Sequence, residues 1–145
     1  MFDTAKPYIA CYLILRDGDK IAFVLRGEAT KWMAGYYGLP SGKVEKNESF
    51  SQGVIREGLE EVGVSVLPEN IHHTHTMHRH DEVDWVDVYF EAPKWKGEIT
   101  NAEPHVHEEV AWLNVNDLPE NVVPPVRAAL EAIEKGEKYS EYGWN

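Results

Sequence analysis

The chain has 145 residues, 43% of them hydrophobic and 27% charged, a length and balance that suit one globular domain with a core of its own. No apolar run approaches the ~20 residues of a membrane helix, and a formal charge of −11, from 25 acidic against 14 basic residues, disfavours binding to a nucleic-acid polymer. Cys11 is the single cysteine, which excludes an internal disulfide and a cysteine-rich zinc site and, set in an apolar run, reads as a buried, inert thiol.

In chain order, the start MFDTAKPYIACYLILR has neither the basic opening nor the small-residue cleavage site of a leader peptide, and a cytoplasmic location is expected. Tyr8 to Arg16 and Ile21 to Arg26 read as strands joined by the turn Asp17-Gly18-Asp19-Lys20. A longer connection, Gly27 to Pro40, holds Trp32, Tyr36 and Tyr37. Ser49 to Val62 is helical in composition, with Asn47 or Ser49 as cap and Gly63 as stop. Ile71 to His80 and Val83 to Ala92 are the next strands, around a turn at Asp81-Glu82. After a loop from Pro93 to Pro104, Val110 to Val115 reads as a strand. Pro124-Pro125 opens a second helix that ends near Gly136. The order points to an α+β or α/β/α domain around a mixed β-sheet. The aromatic tail YSEYGWN is expected to pack on the domain or on a second copy in a homodimer.

Glu57, Glu60 and Glu61 stand at i, i+3 and i+4, which puts three carboxylates on one helix face. Ile55, Leu59 and Val62 form an apolar stripe expected to face a core on the opposite side, with Phe50 and Val54 on the glutamate side. A partly enclosed carboxylate cluster needs protons, basic partners or metal ions. Arg56 offsets part of the charge but not all of it, and hard oxygen donors suit Mg²⁺ or Mn²⁺. A solvated charged face is the ordinary explanation of E-x-x-E-E. The longer pattern decides against it. Gly42, Glu48, Arg56, Glu57, Glu60, Glu61 and Gly63 fit G-x5-E-x7-R-E-U-x-E-E-x-G-U, where U is bulky and apolar. At this composition a chance match to all seven is on the order of one in a hundred thousand.

Residues 42 to 64 thus resemble the Nudix box, and the flanking order of elements extends the likeness to a small MutT-like member over nearly the whole chain. The resemblance implies the Nudix fold, an α/β/α sandwich with a mixed β-sheet in a single domain spanning 1–145. It also implies hydrolysis of a diphosphate linkage in a small nucleotide. Carried onto this sequence, it makes Glu57, Glu60 and Glu61 the metal ligands, with the carbonyl of Ser41 as a further one and Arg56 with Glu48 orienting them. Two positions depart from the pattern: Gly58 occupies the first bulky apolar place, and Ser41 stands where many small members have glycine. A glycine inside a helix costs about 1 kcal/mol relative to alanine, and Gly53 adds a second.

Outside the box, Glu103 is the preferred loop carboxylate, ahead of Glu108 and Glu109, and either it or Glu57 serves as general base. Arg26, His78 and Arg79 are candidate substrate contacts, and the tryptophans and tyrosines are candidate stacking surfaces. Strand alternation groups His78 and His80 with His72 on one face and His73 with His75 on the other, an arrangement that disfavours a dedicated zinc site. The expected reaction is metal-dependent cleavage of a nucleoside triphosphate to monophosphate and pyrophosphate. A nucleotide sugar, ADP-ribose or a dinucleoside polyphosphate is the alternative substrate. A non-catalytic nucleotide-binding module is the third reading, disfavoured by the intact carboxylates.

Overall fold

The computed structural model describes residues 3–145, so Met1 and Phe2, where the expectation of no leader begins, lie outside it. The strands are β1 (Tyr8–Asp17), β2 (Lys20–Arg26), β3 (Tyr37–Gly38), β4 (Ser41–Lys43), β5 (His72–Asp81), β6 (Val83–Ala92), β7 (His107–Asn114) and β8 (Tyr139–Tyr142), and the helices are α1 (Phe50–Val62) and α2 (Pro124–Glu134). The strands run in the order β3-β2-β1-β6-β5-β8, with β4 paired to β1 and β7 to β2. The β1–β6 and β5–β8 ladders are parallel and the others antiparallel, so the sheet is mixed. No helix of the described residues is long and apolar enough to cross a membrane.

Strand alternation divides the core. Cys11, Leu13, Leu15, Val88 and Phe90 face α1 through Val54 and Val62. Ile14, Phe23, Met77 and Tyr89 face α2 through Val126, Ala129 and Leu130. The α/β/α sandwich expected from the sequence is the fold observed. The tail meets the first of its two expectations, because β8 adds to the β5 edge of its own domain.

Two details differ from the sequence reading. Of the predicted stripe only Val62 is fully buried, while Ile55 is partly buried and Leu59 is 55% exposed. The core face of α1 instead runs through Val54, Gly58, Glu61 and Val62. Its glycines explain this. A Cβ at Gly58 would lie 2.8 Å from Leu13 Cδ2, and one at Gly53 would lie 2.9 Å from Glu48 Oε1. The bare backbone lets α1 sit close on β1, which brings the carboxylates beside the core face rather than opposite it. In β5, a register shift between His73 and His75 inserts Thr74. Such a bulge reverses the alternation, so His73 meets Phe90 on the α1 side while His75 meets Tyr89 on the α2 side.

Candidate active site

The β1–β4 pairing sets Tyr12 opposite Ser41 and Cys11 opposite Gly42, directly under α1. Ser49 starts that helix with a capping box: its Oγ accepts from the Gln52 amide at 3.1 Å, and Gln52 Oε1 accepts from the Ser49 amide at 2.9 Å. Gly63 ends it at φ +73°. Between these caps, Glu57 reaches so near β4 that a Cβ at Gly42 would lie 2.1 Å from its Oε1. That approach is the physical demand for glycine at the first position of the box.

Arg56 organises the outer carboxylates. Its guanidinium donates to both Glu48 oxygens, at 2.7 and 3.1 Å, to Glu57 Oε1 at 2.9 Å and to Glu60 Oε2 at 3.1 Å. The Glu45 amide, at 2.9 Å, holds the same Glu48 carboxylate from the other side. Hydrogen bonding to Glu48 raises the Arg56 pKa above its ordinary value, and the same bonds lower that of Glu48. Glu60, half exposed, points outward from this group.

The inner carboxylate, Glu61, lacks such a partner. Glu61 is 6% exposed and accepts from the Ser41 amide at 2.8 Å. Burial pushes its pKa well above 4.5, and the neighbouring Glu57 pushes it further by a shared hydrogen bond and by charge. Burial also raises Glu57, against the opposing pull of Glu61 and Arg56. Beyond Glu61 lies His107, 3% exposed, with Nε2 3.5 Å from Glu61 Oε1. Burial lowers its pKa, and Arg26 does so to a smaller extent, so it offers a neutral nitrogen rather than a countercharge. One donor atom each from Glu61, Glu103 and His107 lies within 4.8 Å of the others. The Glu103 loop is pinned to the end of α1, where the Ala102 amide donates to the Glu61 carbonyl at 3.0 Å. Clustered oxygens short of positive charge, with room for one imidazole, form a donor set that fits Mg²⁺ or Mn²⁺.

A cleft of about 620 Å³ opens beside Ser41 and Gly42. Its wall alternates cations and rings. Lys43 Nζ lies 5.6 Å from the Trp85 ring, and Arg79 Cζ lies 4.8 Å from Trp85 and 5.7 Å from Trp32. Arg26 Cζ completes the series 5.5 Å from Trp32, whose carbonyl accepts from Arg26 Nε at 2.8 Å. Arg79 is 3% exposed and pairs with the fully buried Asp87, at 2.6 and 3.2 Å. Burial opposes the Arg79 charge, but the Asp87 bonds outweigh it and hold the guanidinium ionised. The Tyr12 hydroxyl donates to the same Asp87 at 3.3 Å.

Of the residues singled out in the sequence, Ser41, Glu48, Arg56, Glu57, Glu60, Glu61 and Glu103 come together around α1, and Arg26 and Arg79 line the adjoining cleft. His78 does not join them. It pairs with Val86 on the α1 side of the sheet, its ring 4.6 Å from Trp144, while Arg79 projects from the other face. Glu108 and Glu109 are exposed, and Glu109 accepts from the Tyr37 hydroxyl at 2.6 Å. Sequence reasoning passed over Asp87 and His107. A lone acid inside the apolar run Val86-Asp87-Val88-Tyr89 was a signal for the first, because a buried carboxylate demands a partner. The second was hidden because β7 begins at His107, three residues before the predicted strand start.

The NUDIX domain family matches residues 5–133. An 8-oxo-dGTP diphosphatase of Proteus vulgaris is 30% identical over 100 residues, covering 69% of this chain and 88% of that protein. A longer Caenorhabditis elegans protein named as a nudix hydrolase is 29% identical over 127 residues, covering 80% of this chain and 31% of its own length. Among solved structures, a MutT NUDIX hydrolase from Burkholderia pseudomallei superposes with a TM-score of 0.78 at 29% identity, over 87% of this chain and 97% of that one.

Proposed function

This chain belongs to the Nudix hydrolase family, whose members split nucleotide diphosphate linkages, and we propose that it cleaves nucleoside triphosphates to a monophosphate and pyrophosphate with Mg²⁺ or Mn²⁺ bound. The observation that carries the reading is the Glu57–Glu61 pair, set on α1 beside the Ser41–Gly42 edge of the cleft, with Glu61 buried and Arg56 bonded to Glu48, Glu57 and Glu60 instead of to it. Glu57, Glu60, Glu61 and the Ser41 carbonyl would hold the cation. When bound, it supplies positive charge to the phosphates and makes the attacking water more acidic.

The chain's own groups then divide the work. Arg56, anchored by Glu48, fixes Glu57 and Glu60 in place. Glu57 or Glu103 takes the proton of the water whose oxygen bonds to phosphorus as the bridging P–O bond breaks. Arg26, Arg79, Trp32 and Trp85 receive the nucleoside, where flat rings and guanidinium groups suit a base. The name of the Proteus vulgaris relative makes an oxidised guanine nucleotide a natural member of the test panel.

A product assay over nucleoside triphosphates, oxidised dNTPs, ADP-ribose and nucleotide sugars tests the reading. Pyrophosphate release from a triphosphate, abolished by chelator, is expected. Turnover that survives chelation contradicts the metal role. Cleavage of nucleotide sugars or ADP-ribose alone moves the assignment to that substrate class.

A further inference from the structure

The histidine-rich strand β5 takes no part in the carboxylate site, yet its contacts converge on one segment. We propose that residues 137–145, which lie beyond the stretch matched by the family, form a strap that positions Arg79 and the β5–β6 turn for substrate. The functional half of this proposal rests on the cleft being the nucleotide site.

The strap is held at several independent points. His75 is fully buried, with Nδ1 2.8 Å from the Glu137 carbonyl and Nε2 2.7 Å from Ser140 Oγ. A carbonyl only accepts, so Nδ1 carries the proton, and in the neutral ring Nε2 accepts from the hydroxyl. The Thr76 amide donates to the Lys138 carbonyl at 2.9 Å, and the parallel ladder runs from Thr76–Tyr139 to Arg79–Tyr142. Trp144 Nε1 donates to the His78 carbonyl at 2.9 Å, with its ring 4.6 Å from His78 and 5.0 Å from His80. Gly143, at φ +83°, crosses His80 so closely that a Cβ would lie 2.2 Å from the His80 carbonyl oxygen. That neighbour is backbone and does not swing aside. His75, His78 and His80 are thus accounted for as a dock for the tail.

The dock ends where the cleft begins. Arg79 is the last residue paired with the strap, and its side chain lines the cleft from the opposite face of β5. The next residues, Asp81, Glu82 and Val83, line it too, and Glu82 turns the chain at φ +56°. Without β8, the edge of β5 at Thr76–Arg79 would be unpaired, and the turn would be held through β6 alone. The carboxylates stand on α1, and the strap's hydrogen bonds go to β5 rather than to that helix, so the strap acts on substrate binding rather than on the chemical step.

The test compares the full chain with a form ending at Gly136 and with Trp144→Ala and Trp144→Phe, reading kinetics and amide exchange over residues 76–85. The shortened form is expected to raise KM about tenfold with kcat within about twofold, and to exchange faster over that stretch. Trp144→Ala moves the same way to a smaller extent and Trp144→Phe lies nearer the full chain, which preserves the test if the shortened form does not fold. Unchanged KM in variants that exchange faster overturns the proposal, as does a fall in kcat at constant KM. If the full chain cleaves no phosphoanhydride, the functional reading fails by itself. The strap is then judged on exchange, and unaltered protection over 76–85 in Trp144→Ala overturns it.

Discussion

Arg56 and Arg79 are both surrounded by carboxylates, and they have opposite consequences. Arg79 makes both its side-chain hydrogen bonds to one fully buried partner, Asp87, with the exposed Asp81 3.6 Å away, and the pair stands behind Trp85. Arg56 is shared among Glu45, Glu48, Glu57 and Glu60, and it reaches no oxygen of Glu61 within ion-pair distance. One region balances its charge and serves as a platform. The other gathers carboxylate oxygens with too few cations around them, the condition for taking a cation.

The largest effect that would test this contrast is on turnover. Glu57→Gln is expected to lower kcat about a thousandfold, or about 4 kcal/mol in barrier, with the fold retained by circular dichroism. Normal kcat would place the chemistry elsewhere. In the balanced region the effect falls on stability. Asp87→Ala leaves the buried Arg79 with only the exposed Asp81, 3.6 Å away, and should cost about 3 kcal/mol in urea unfolding. A loss near zero would mean that water or Tyr12 compensates.

Gly58→Ala gives a test of sign. Helix propensity alone favours alanine by about 1 kcal/mol, but the new Cβ meets Leu13, itself fully buried. Overpacking of about 2 kcal/mol should outweigh the gain, leaving a net loss near ~1 kcal/mol. A stabilised variant would show that α1 has room to lift.

How the site charge titrates separates the two regions further. Glu61 is raised above its unfolded value of 4.5, so between that value and its folded pKa the folded state binds more protons. Its contribution to the stability of the metal-free protein is present at the acid end of this window and is lost as pH rises through the folded value. Thermal scans should show this trend in the unsubstituted protein and its loss in Glu61→Gln. The smallest expected signal belongs to Cys11, which sits between both regions. Burial, then the charges of Glu48, Asp87 and Glu57, push its thiol up to about 12. Thiol reagents at pH 8 should label it after unfolding and leave it unlabelled in the native state.

The unequal treatment of the two arginines also explains what the sequence made legible. The carboxylates of α1 follow a fixed spacing along one helix, so Glu57, Glu60, Glu61 and their partner Arg56 were readable with the Nudix fold around them. The Arg79–Asp87 pair joins two strands diagonally, with Arg79 opposite Trp85 and Asp87 opposite Met77, and spacing along either strand carries no record of that. Gly58 read as a weak point of the helix, because the nearness of Leu13 exists only once α1 lies on β1. His78 read as a candidate substrate contact alongside Arg79, since the sequence does not say which face of the strand lines the cleft. Alternation along β5 puts Arg79 into the cleft and turns His78 toward Trp144.

The central claim is that the Glu57–Glu61 pair, whose affinity for protons burial raises, is where a cation binds and displaces them. Titrating Mn²⁺ calorimetrically into the metal-free protein at pH 7, in buffers of different ionisation enthalpy, tests it most directly. The account predicts binding with proton release, and weaker binding without that release in Glu61→Gln. Equal affinity and equal proton release in the two proteins would contradict it.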